Sequence, residues 1–529
     1  MYQKDLKNAS LRQAQQCYDQ TMLAKVTSSA VIGLDAVPIE VEVDIASQGL
    51  PNFTIVGLPD KAVEEAKERV RSAIRNSGAD FPARRITVNL APADLPKEGP
   101  SYDLPIALGI LLASGQLLTD VSNVLVAGEL ALDGRVRPIT GVLSSSLMAK
   151  ELGFSACFIP EGNAHEASVV GDVTIYPLPT LLSLFKHLRK EQAIQPYVLA
   201  DDKTDQDIFD FDMKDVKGQH QAKRALEIAA AGGHNILMKG PPGAGKTLLA
   251  RTLPSILPKL TFLEAVEVTK IYSIAGLLQN KGLVTMRPFR APHHTTSLVG
   301  LIGGSSTPRP GEITLAHRGV LFLDEFPEFP RNVLETLRQP IEDGIVHIAR
   351  AQSKVTFPAK CMLVAAQNPC PCGYLGDPVK NCSCSPSQIS RYQKKISGPL
   401  LDRIDIHLEV PAVKVEKLIE QKPSDAEDSG TIRQRVQVAR DRQTLRFKGS
   451  KMTSNSDLTT KSIKEFCQLS DDCLALLQTA VSKLNLSGRA YNRTIKVART
   501  IADLADSEAI LPEHIAEALQ YRSKLSSIV

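Results

Sequence analysis

The sequence has 529 residues, too many for one ordinary hydrophobic core, and we expect two to four domains. Its 43% hydrophobic and 23% charged residues are typical of a soluble globular protein and exclude a disordered chain. The 62 basic residues nearly balance the 58 acidic ones, so the net charge of +4 selects no partner. No stretch is apolar and long enough to span a membrane and no secretory signal is present, so we expect a cytoplasmic protein.

Residues 22–190 show the pattern of a mixed α/β domain. Three segments rich in β-branched residues predict strands: VEVDI (41–45), FTIVGL (53–58) and ITVNL (86–90). Between the last two, apolar side chains recur at helical spacing before Gly78, and they are Ala62, Val63, Ala66, Val70 and Ile74. Residues 1–21, which precede this domain, are expected to be a disordered extension.

Two acidic stretches divide the rest of the chain. We expect linkers at 191–212, which ends in DDKTDQDIFDFD, and at 413–430, which ends in QKPSDAEDSG. Between them, residues 213–412 predict a second α/β domain, and residues 431–529 carry helical patterns. The predicted fold class is therefore α/β with a helical C-terminal part.

A phosphate-binding loop is the most specific motif in the sequence. NILMKGPPGAGKTLLA (235–250) runs from an apolar strand through G-x-x-x-x-G-K-[ST] into a helical pattern, the context that this motif requires. Backbone N–H groups would converge on phosphate oxygens, Lys246 would neutralise the β- and γ-phosphates, and Thr247 would bind Mg²⁺. The sequence thus predicts an ATP and Mg²⁺ site at Gly240, Pro241, Pro242, Gly243, Ala244, Gly245, Lys246 and Thr247.

Two further apolar strands end in polar residues suited to this chemistry. GVLFLDEF (319–326) contains Asp324, which would hold Mg²⁺, and Glu325, which would deprotonate the attacking water. CMLVAAQN (361–368) ends in Asn368, whose amide would position the γ-phosphate or the water. The alternatives are two solvated carboxylates at a strand end and an ordinary turn asparagine.

Four of the nine cysteines lie close together, as C-x-C, nine residues, then C-x-C. In a reducing compartment such clustering indicates a metal before disulfides. Four thiolates would complete one tetrahedral Zn²⁺, so we expect a structural zinc site at Cys370, Cys372, Cys382 and Cys384. Unligated thiols or a redox-labile loop are the alternatives.

The order of these motifs resembles that of the magnesium-chelatase-like AAA+ ATPases and, within them, the ComM/YifB family. The resemblance extends from Met22 to the C-terminus and rests on DVKGQ (215–219), the phosphate-binding loop, GVLFLDEF, AAQNPCPCG and SGPLLDRID (397–405). It implies an AAA+ core at 213–412 with a helix-2 insert and a pre-sensor-1 hairpin, followed by a C-terminal helical lid. Asn368 would then be the sensor-1 residue.

The resemblance also assigns two arginines to catalysis. Arg403 falls at the arginine-finger position, which acts on a neighbouring subunit's ATP, and Arg489 falls at the sensor-2 position with Arg493 one turn further on. A planar cation at the γ-phosphate would stabilise the transition state. A finger that acts on a neighbour requires an oligomer, and we expect a homohexamer. Pairing of Arg403 with Asp402 or Asp405 is the alternative.

Two segments resemble the pore-facing elements of related ring helicases, namely residues 281–318 (the helix-2 insert) and residues 345–356 (the hairpin). Their basic side chains would follow DNA phosphates, and the expected DNA contacts are Arg287, Arg290, Arg350 and Lys354. Ordinary exposed basic residues are the alternative. For the adjacent His293 and His294, a backbone or partner contact is favoured over metal ligation.

Residues 22–190 resemble the Lon-protease fold. PKEGPSYDLPIALG (96–109) is similar to the segment that holds the Lon serine, here Ser101, and VAGELALDGRVRPITGVL (126–143) is similar to the segment of the catalytic lysine. Leu143 occupies that lysine's position, and leucine cannot activate a serine hydroxyl. We therefore expect a peptidase-inactive domain in which Ser101 is a turn or helix-capping residue.

The residues and the resemblance together predict an ATP-driven ring motor on DNA, a branch-migration helicase of homologous recombination and natural transformation. The alternative is a chelatase-type remodeller that acts on a protein or metal-insertion partner. The Lon-like domain disfavours a chelatase subunit, which normally begins near its ATPase core. Leu143 disfavours an ATP-dependent protease.

Overall fold

The computed structural model describes residues 23–199, 209–278, 282–305, 308–349, 354–377, 380–412, 427–484 and 486–522. Contacts divide these residues into two compact units. The first unit contains the described residues up to 199 together with those of 269–284, and the second contains 209–268 and the residues from 285 onward. The predicted extension, residues 200–208 of the first predicted linker and residues 413–426 of the second lie outside the described residues.

The first unit is built on a seven-stranded sheet. The strands of this unit are β1 (Leu23–Ile32), β2 (Asp35–Ile45), β3 (Asn52–Val56), β4 (Arg85–Ala91), β5 (Val124–Val126), β6 (Glu129–Leu130), β7 (Val136–Arg137), β8 (Ala156–Pro160) and β9 (Thr174–Leu178). The sheet order is β3-β4-β2-β1-β5-β8-β9, and β6 pairs with β7 as a separate hairpin. The pairs β1–β2 and β2–β4 are antiparallel, whereas the remaining neighbours in the sheet are parallel.

The helix predicted from apolar spacing is present as α1 (Lys61–Asn76). Asp60 caps it, since its Oδ1 accepts the N–H of Val63 at 2.8 Å. The predicted apolar positions Val63 and Val70 are fully buried, so this face of α1 contributes to the core of the unit. The other helices of this unit are α2 (Asp103–Ala113), α3 (Val142–Glu151), α4 (Ala164–Ser168) and α5 (Leu181–Leu188).

The second unit contains a five-stranded parallel sheet and two short antiparallel pairs. Its strands are β10 (Ile236–Lys239), β11 (Phe289–Arg290), β12 (Gly303–Gly304), β13 (Arg309–Pro310), β14 (Val320–Leu323), β15 (Ile345–Ala349), β16 (Lys354–Pro358), β17 (Met362–Gln367) and β18 (Ile406–Glu409). The parallel sheet has the order β11-β14-β17-β10-β18. β15 and β16 form an antiparallel hairpin at the predicted position.

Helices surround this sheet and make up the C-terminal part of the second unit. They are α6 (His220–Gly232), α7 (Lys246–Thr252), α8 (Phe262–Ile274, whose residues from Thr269 belong to the first unit), α9 (Leu298–Ile302), α10 (Glu312–Leu315), α11 (Arg331–Thr336), α12 (Arg338–Asp343), α13 (Pro386–Gln393), α14 (Gly398–Leu401), α15 (Ser429–Arg446), α16 (Thr460–Phe466), α17 (Asp471–Leu484), α18 (Gly488–Leu504) and α19 (Pro512–Gln520).

The C-terminal helices share one hydrophobic core with the parallel sheet. Val436 of α15, Ile501 of α18 and Ile515 of α19 belong to the same buried cluster as Ile236 and Val364 of the sheet. The predicted α/β class with a helical C-terminal part is therefore confirmed. In the part of the chain that the structure describes, no helix has both the length and the apolar character needed to cross a membrane.

Candidate active site

The phosphate-binding loop joins β10 to α7 at the carboxyl end of the parallel sheet, the usual place for a ligand in such sheets. Gly243 and Gly245 have left-handed backbones, with φ of +76° and +86°. A Cβ at Gly240 would lie 2.1 Å from the carbonyl oxygen of Val410. The loop therefore requires glycine at these three positions, two because of backbone conformation and one because of close backbone contact.

Lys246 is held inside the loop by neutral oxygens. Its Nζ donates to the carbonyl oxygens of Gly240 (2.8 Å) and Pro241 (2.9 Å) and to Oδ1 of Asn368 (3.1 Å). Burial lowers the pKa of Lys246, and the charge of Asp324 opposes that shift. A phosphate is a stronger acceptor for an ammonium group than a carbonyl oxygen, so an incoming anion would be favoured over these partners.

Thr247 and Asp324 bring two oxygen ligands side by side. The Thr247 hydroxyl donates to Oδ2 of Asp324 at 2.8 Å, although 77 residues separate them in the chain. The N–H of Glu325 donates to the other carboxylate oxygen at 2.9 Å and fixes its orientation. A hydroxyl and a carboxylate are hard oxygen ligands of the kind that Mg²⁺ takes beside nucleotide phosphates, so these residues fit that ion.

Glu325 has a partner that the sequence did not reveal. Its backbone is left-handed, with φ of +50°, and its carboxylate oxygen Oε2 lies 3.2 Å from Nδ1 of His294. The side chain is 56% exposed, as a group that meets water must be. The signal in the sequence was the His293–His294 pair, for which a backbone or partner contact is the expectation. His293 instead contacts the Thr295 hydroxyl at 2.8 Å.

The four clustered cysteines converge directly after Asn368. Cys370, Cys372, Cys382 and Cys384 place their Sγ atoms within 4.8 Å of one another. Among the described residues, this is the one group of three or more His, Cys, Asp or Glu side chains close enough to hold a metal ion. The histidine pair therefore forms no such group there, and the cysteine cluster has the donor set of a tetrathiolate metal site.

Arg403, Arg489 and Arg493 lie at the other end of the parallel sheet. Asn235, which directly precedes β10, donates from Nδ2 to the carbonyl oxygen of Arg403 at 3.2 Å, and Arg493 donates to the same oxygen at 2.8 Å. The three arginines line a cavity of about 690 Å³. Because β10 has 4 residues, each rising about 3.3 Å, this cavity and the phosphate-binding loop are separated by roughly 13 Å of strand.

The guanidinium of Arg403 is paired with a carboxylate other than the two that were expected. Its Nη2 forms an ion pair with Glu342, and its Nη1 donates to the carbonyl oxygen of Pro399 at 2.7 Å. Asp402 and Asp405 are therefore not the residues that hold it. The Nε atom of Arg403 is buried without a hydrogen-bond partner among the described residues, so its present contacts satisfy the guanidinium only in part.

Asp405 organises the backbone beneath these arginines. It forms an ion pair with Arg493, accepts the N–H of Asn235 at 3.1 Å and lies 3.5 Å from Nδ1 of the fully buried His234. Burial alone would raise the pKa of Asp405, but Arg493 and His234 lower it below its ordinary value. The carboxylate therefore remains charged and fixes the segment that carries Arg403.

Two of the arginines predicted to contact DNA form ion pairs with carboxylates of the same chain. The side chain of Arg287 is 11% exposed, and its Nη2 lies 2.9 Å from the Glu264 carboxylate. Arg290 makes two contacts of 2.7 Å with Glu312. Arg287 also donates to backbone carbonyls, so it stabilises the fold around it and does not present a free cation to a phosphate. The prediction for Arg287 is corrected accordingly.

The other two predicted DNA contacts are Lys354 and Arg350. Lys354 is exposed at the first position of β16. Arg350 lies outside the described residues. Of the four predicted basic contacts, Lys354 is thus the one described residue with an exposed side chain in the position the sequence suggested.

Ser101 and Leu143 both lie in the first unit. Ser101 is in a short 3₁₀ turn (Pro100–Tyr102), and its carbonyl oxygen accepts the N–H of Gly128 at 2.9 Å. Tyr102 precedes α2 and no side chain caps that helix, so Ser101 is a turn residue and not a cap. Leu143 is fully buried and offers no titratable group.

Comparisons with known proteins agree along most of the chain. Residues 212–418 match the family described as magnesium chelatase, subunit ChlI; residues 41–163 match subunit ChlI of Mg-chelatase; and residues 426–522 match its C-terminal family. The chain is 46% identical over 510 residues to the competence protein ComM of Haemophilus influenzae, covering 95% of this chain and 97% of that protein. It is 44% identical over 503 residues to the uncharacterized protein YifB of Escherichia coli, covering 95% and 97%.

A shorter similarity concerns the N-terminal region. Over 144 residues, 26% of this chain, the sequence is 31% identical to the Lon protease of Mycolicibacterium smegmatis, of which it covers 18%. The matched ATPase and C-terminal regions contain the phosphate-binding loop, the acidic strand end and the arginine-lined cavity. By these matches over nearly its full length, the chain belongs to the ComM/YifB family of magnesium-chelatase-like AAA+ ATPases.

Proposed function

We propose that the protein is an ATP-driven ring motor on DNA, a branch-migration helicase that acts in the cytoplasm in homologous recombination and natural transformation. The observation that carries this proposal is the separation of the phosphate-binding loop from the arginine-lined cavity, at opposite ends of one sheet. Each chain holds two halves of different sites, and a second copy of the chain completes each of them. Repetition of such a contact around an axis gives a closed ring, and we propose six subunits.

Hydrolysis of ATP would use the residues at the carboxyl end of the sheet. Lys246 exchanges carbonyl partners for the β- and γ-phosphates, and Asn368 orients the terminal phosphate. Thr247 and Asp324 hold the Mg²⁺ that neutralises phosphate charge when bound. Glu325 accepts the proton of the attacking water, for which its exposed carboxylate is suited.

Transition-state charge would be stabilised by the neighbouring subunit. Arg403 has a buried, unpartnered Nε and a carboxylate partner, Glu342, that is half exposed. We propose that Arg403 exchanges Glu342 for the γ-phosphate bound to the next subunit, with Arg489 on the same cavity as a second cation. Since roughly 13 Å of strand separates this cavity from the chain's own loop, action in trans is favoured over action in cis.

A mixing experiment tests action in trans. Lys246→Ala lacks a working loop, and Arg403→Ala lacks a working finger, so each alone should be inactive. In rings mixed at equal amounts, about one quarter of the contacts join an intact loop to an intact Arg403, and ATPase activity should return to that level. If the mixture stays as inactive as its parts, Arg403 does not act across a subunit contact.

The DNA part of the proposal is supported by the family and by the exposed Lys354 on its hairpin. The name of the Haemophilus relative connects that protein to competence. Holliday-type DNA should bind the ring and raise ATP turnover, and affinity should fall steeply with added salt. Glu325→Gln should bind ATP and DNA yet leave the junction in place. The alternative, a chelatase-type remodeller of a protein or metal-insertion partner, gains support if branched DNA neither binds nor stimulates turnover.

A further inference from the structure

The cysteine cluster lies beside the phosphate-binding loop, and the motor function does not account for it. We propose that Cys370, Cys372, Cys382 and Cys384 bind one Zn²⁺, and that the ion holds Gly373 against Pro242 of the loop, so that nucleotide affinity depends on metal loading. The metal site stands on its own geometry. Only the proposed effect of zinc on nucleotide affinity rests on the proposed ATPase function.

The sulfur positions suit a tetrahedral ion. With Zn–S bonds of about 2.3 Å, neighbouring ligands of a tetrahedron are about 3.8 Å apart. Here Cys370 Sγ lies 3.4 Å from Cys372 Sγ and 3.6 Å from Cys382 Sγ, and the Cys372–Cys382 distance is 3.5 Å. The N–H of Cys372 donates to Cys384 Sγ at 3.4 Å, a contact that favours a thiolate. Each thiol would lose its proton as its bond to zinc forms.

The cluster is connected to the nucleotide site by a short piece of chain. Cys370 follows Asn368 by two residues, and Asn368 accepts a hydrogen bond from Lys246. Gly373 packs so closely on the loop that a Cβ there would lie 2.6 Å from Cγ and Cδ of Pro242. On the other side of the cluster, Gln393 of α13 donates to the carbonyl oxygen of Pro369 at 3.1 Å.

In this arrangement the ion would be a clasp, meaning that it connects two segments of the chain and holds them together. Cys382 and Cys384 immediately precede α13, whereas Cys370 and Cys372 immediately follow β17. A metal that joins the two pairs closes the intervening segment and fixes Gly373 between them. Without the metal, turn hydrogen bonds such as that from the N–H of Gly373 to the carbonyl oxygen of Cys370 at 3.0 Å remain, but no bond joins the two cysteine pairs. The contact between Gly373 and Pro242 is then less firmly held, and the phosphate-binding geometry of the loop is less well organised.

Metal content tests the first half of the proposal. Purified full-length protein should contain about one Zn²⁺ per chain by elemental analysis, and Cys384→Ser should contain almost none. Exchange with Co²⁺ should give the visible absorption of a tetrahedral cobalt thiolate. Cys361→Ser, which changes a cysteine outside the cluster, is the matched control and should keep its metal. Wild-type protein that holds no zinc and takes up no Co²⁺ would overturn the site.

Two glycine variants test the second half with all four cysteines intact. Gly373→Ala places a methyl group against Pro242, whereas Gly376→Ala places it in open space. Both glycines have left-handed backbones, with φ of +86° and +79°, so the backbone strain is matched. Affinity for a fluorescent ATP analogue should fall at least tenfold in Gly373→Ala and in Cys384→Ser, and should be nearly unchanged in Gly376→Ala, with zinc retained in both glycine variants.

The outcomes separate the two proposals. If Cys384→Ser loses zinc but binds the analogue as wild type does, the clasp is wrong and the ATPase proposal is untouched. If Gly373→Ala and Gly376→Ala bind the analogue equally well, the contact with Pro242 has no effect on nucleotide and the clasp is also wrong. If zinc-loaded wild type binds no nucleotide, the proposed ATPase function fails while the metal site remains. Circular dichroism of each variant establishes that it is folded.

Discussion

The two ends of the parallel sheet hold their cations in different ways. At the carboxyl end, Lys246 is bonded to neutral oxygens, and a phosphate easily replaces such partners. At the amino end, Arg403, Arg493 and Arg287 are paired with carboxylates, which a phosphate must displace. The carboxyl end therefore holds a cation that phosphate can reach at low cost, and at the amino end any incoming anion must first displace a carboxylate.

Removal of the Lys246 ammonium should have the largest effect. Lys246→Ala leaves the phosphates without their buried cation, and we expect ATP affinity to fall about 100-fold, equivalent to the loss of about 3 kcal/mol from charged hydrogen bonds. Turnover should fall to background. Isothermal titration with ATP and a phosphate-release assay measure both. Lys61→Ala, at the exposed start of α1, is the control, and equal loss in both variants would contradict a specific role.

Removal of Arg403 should lower turnover and spare binding. Arg403→Ala should reduce kcat roughly 10³-fold, because the cation acts on charge that develops in the transition state, with ATP affinity within about threefold of wild type. Arg403→Lys should recover only a small part, since an ammonium lacks the planar fork. Arg71→Ala, which removes an exposed pair with Glu68, is the control. A large loss of ATP affinity with unchanged kcat would place Arg403 in ground-state binding.

His294 should have a smaller effect at the carboxyl end. His294→Ala removes the side chain that orients the Glu325 carboxylate, and we expect kcat to fall about three- to tenfold with an unchanged KM for ATP. His347→Ala is the matched control, because that exposed ring contacts the Thr356 hydroxyl on the β15–β16 hairpin instead. His294→Gln should recover part of the loss through its amide donor. Equal effects of the two alanine variants would remove the positioning role of His294.

The amino end should also show a modest acid sensitivity. His317 and Arg318 lower the pKa of Glu267 from 4.5 to about 2, although burial acts in the opposite direction. Because the folded pKa is the lower one, this carboxylate contributes stability that is present above about 4.5 and is lost as the pH falls toward 2. In Glu267→Gln, the urea concentration at the midpoint of unfolding should decrease less than in wild type as the pH is lowered from about 4.5 toward 2. At neutral pH its cost should stay below about 1 kcal/mol, since the side chain is half exposed.

A second glutamine variant tests whether the acid sensitivity belongs to the contacts of Glu267 or to carboxylates with lowered pKa values in general. Glu335→Gln removes another carboxylate whose pKa is lowered, by Ser397 and by Arg338, and its ion pair joins residues only three positions apart. Its unfolding midpoints should follow the wild-type curve more closely. If the two variants reduce the acid sensitivity equally, the Glu267 contacts with His317 and Arg318 are not responsible.

Local patterns in the sequence were enough to indicate the phosphate-binding loop and the polar residues after two strands. A buried strand followed by a glycine-rich turn is specified by neighbouring residues, and parallel strands bring their carboxyl ends together. Contacts between segments that are far apart in the chain could not be predicted from such local patterns. The Glu342 partner of Arg403 is 61 residues away, and Arg287, which lies outside any helix, is paired with Glu264 of α8.

The same limit explains the two residues whose expected role changed. A basic residue in an insert has the same sequence signal whether it faces solvent or a buried glutamate, so Arg287 was assigned to DNA. A histidine pair has the same signal whether it holds a metal or one carboxylate, so the contact from His294 to Glu325 was missed. In both cases the deciding partner comes from another part of the fold.

The buried side chain of Leu143 has a consequence for engineering the first unit. Its surroundings on α3 are closed to solvent, and its backbone N–H is already bonded to Glu166. An amine installed there would be a charge in an interior closed to water, where the nearby Glu166 carboxylate already accepts hydrogen bonds from Ser273 and Asn163, and it would cost several kcal/mol. The single substitution Leu143→Lys would therefore destabilise the first unit before it gave any hydrolase activity. Restoring stability would require redesign of the residues packed around α3.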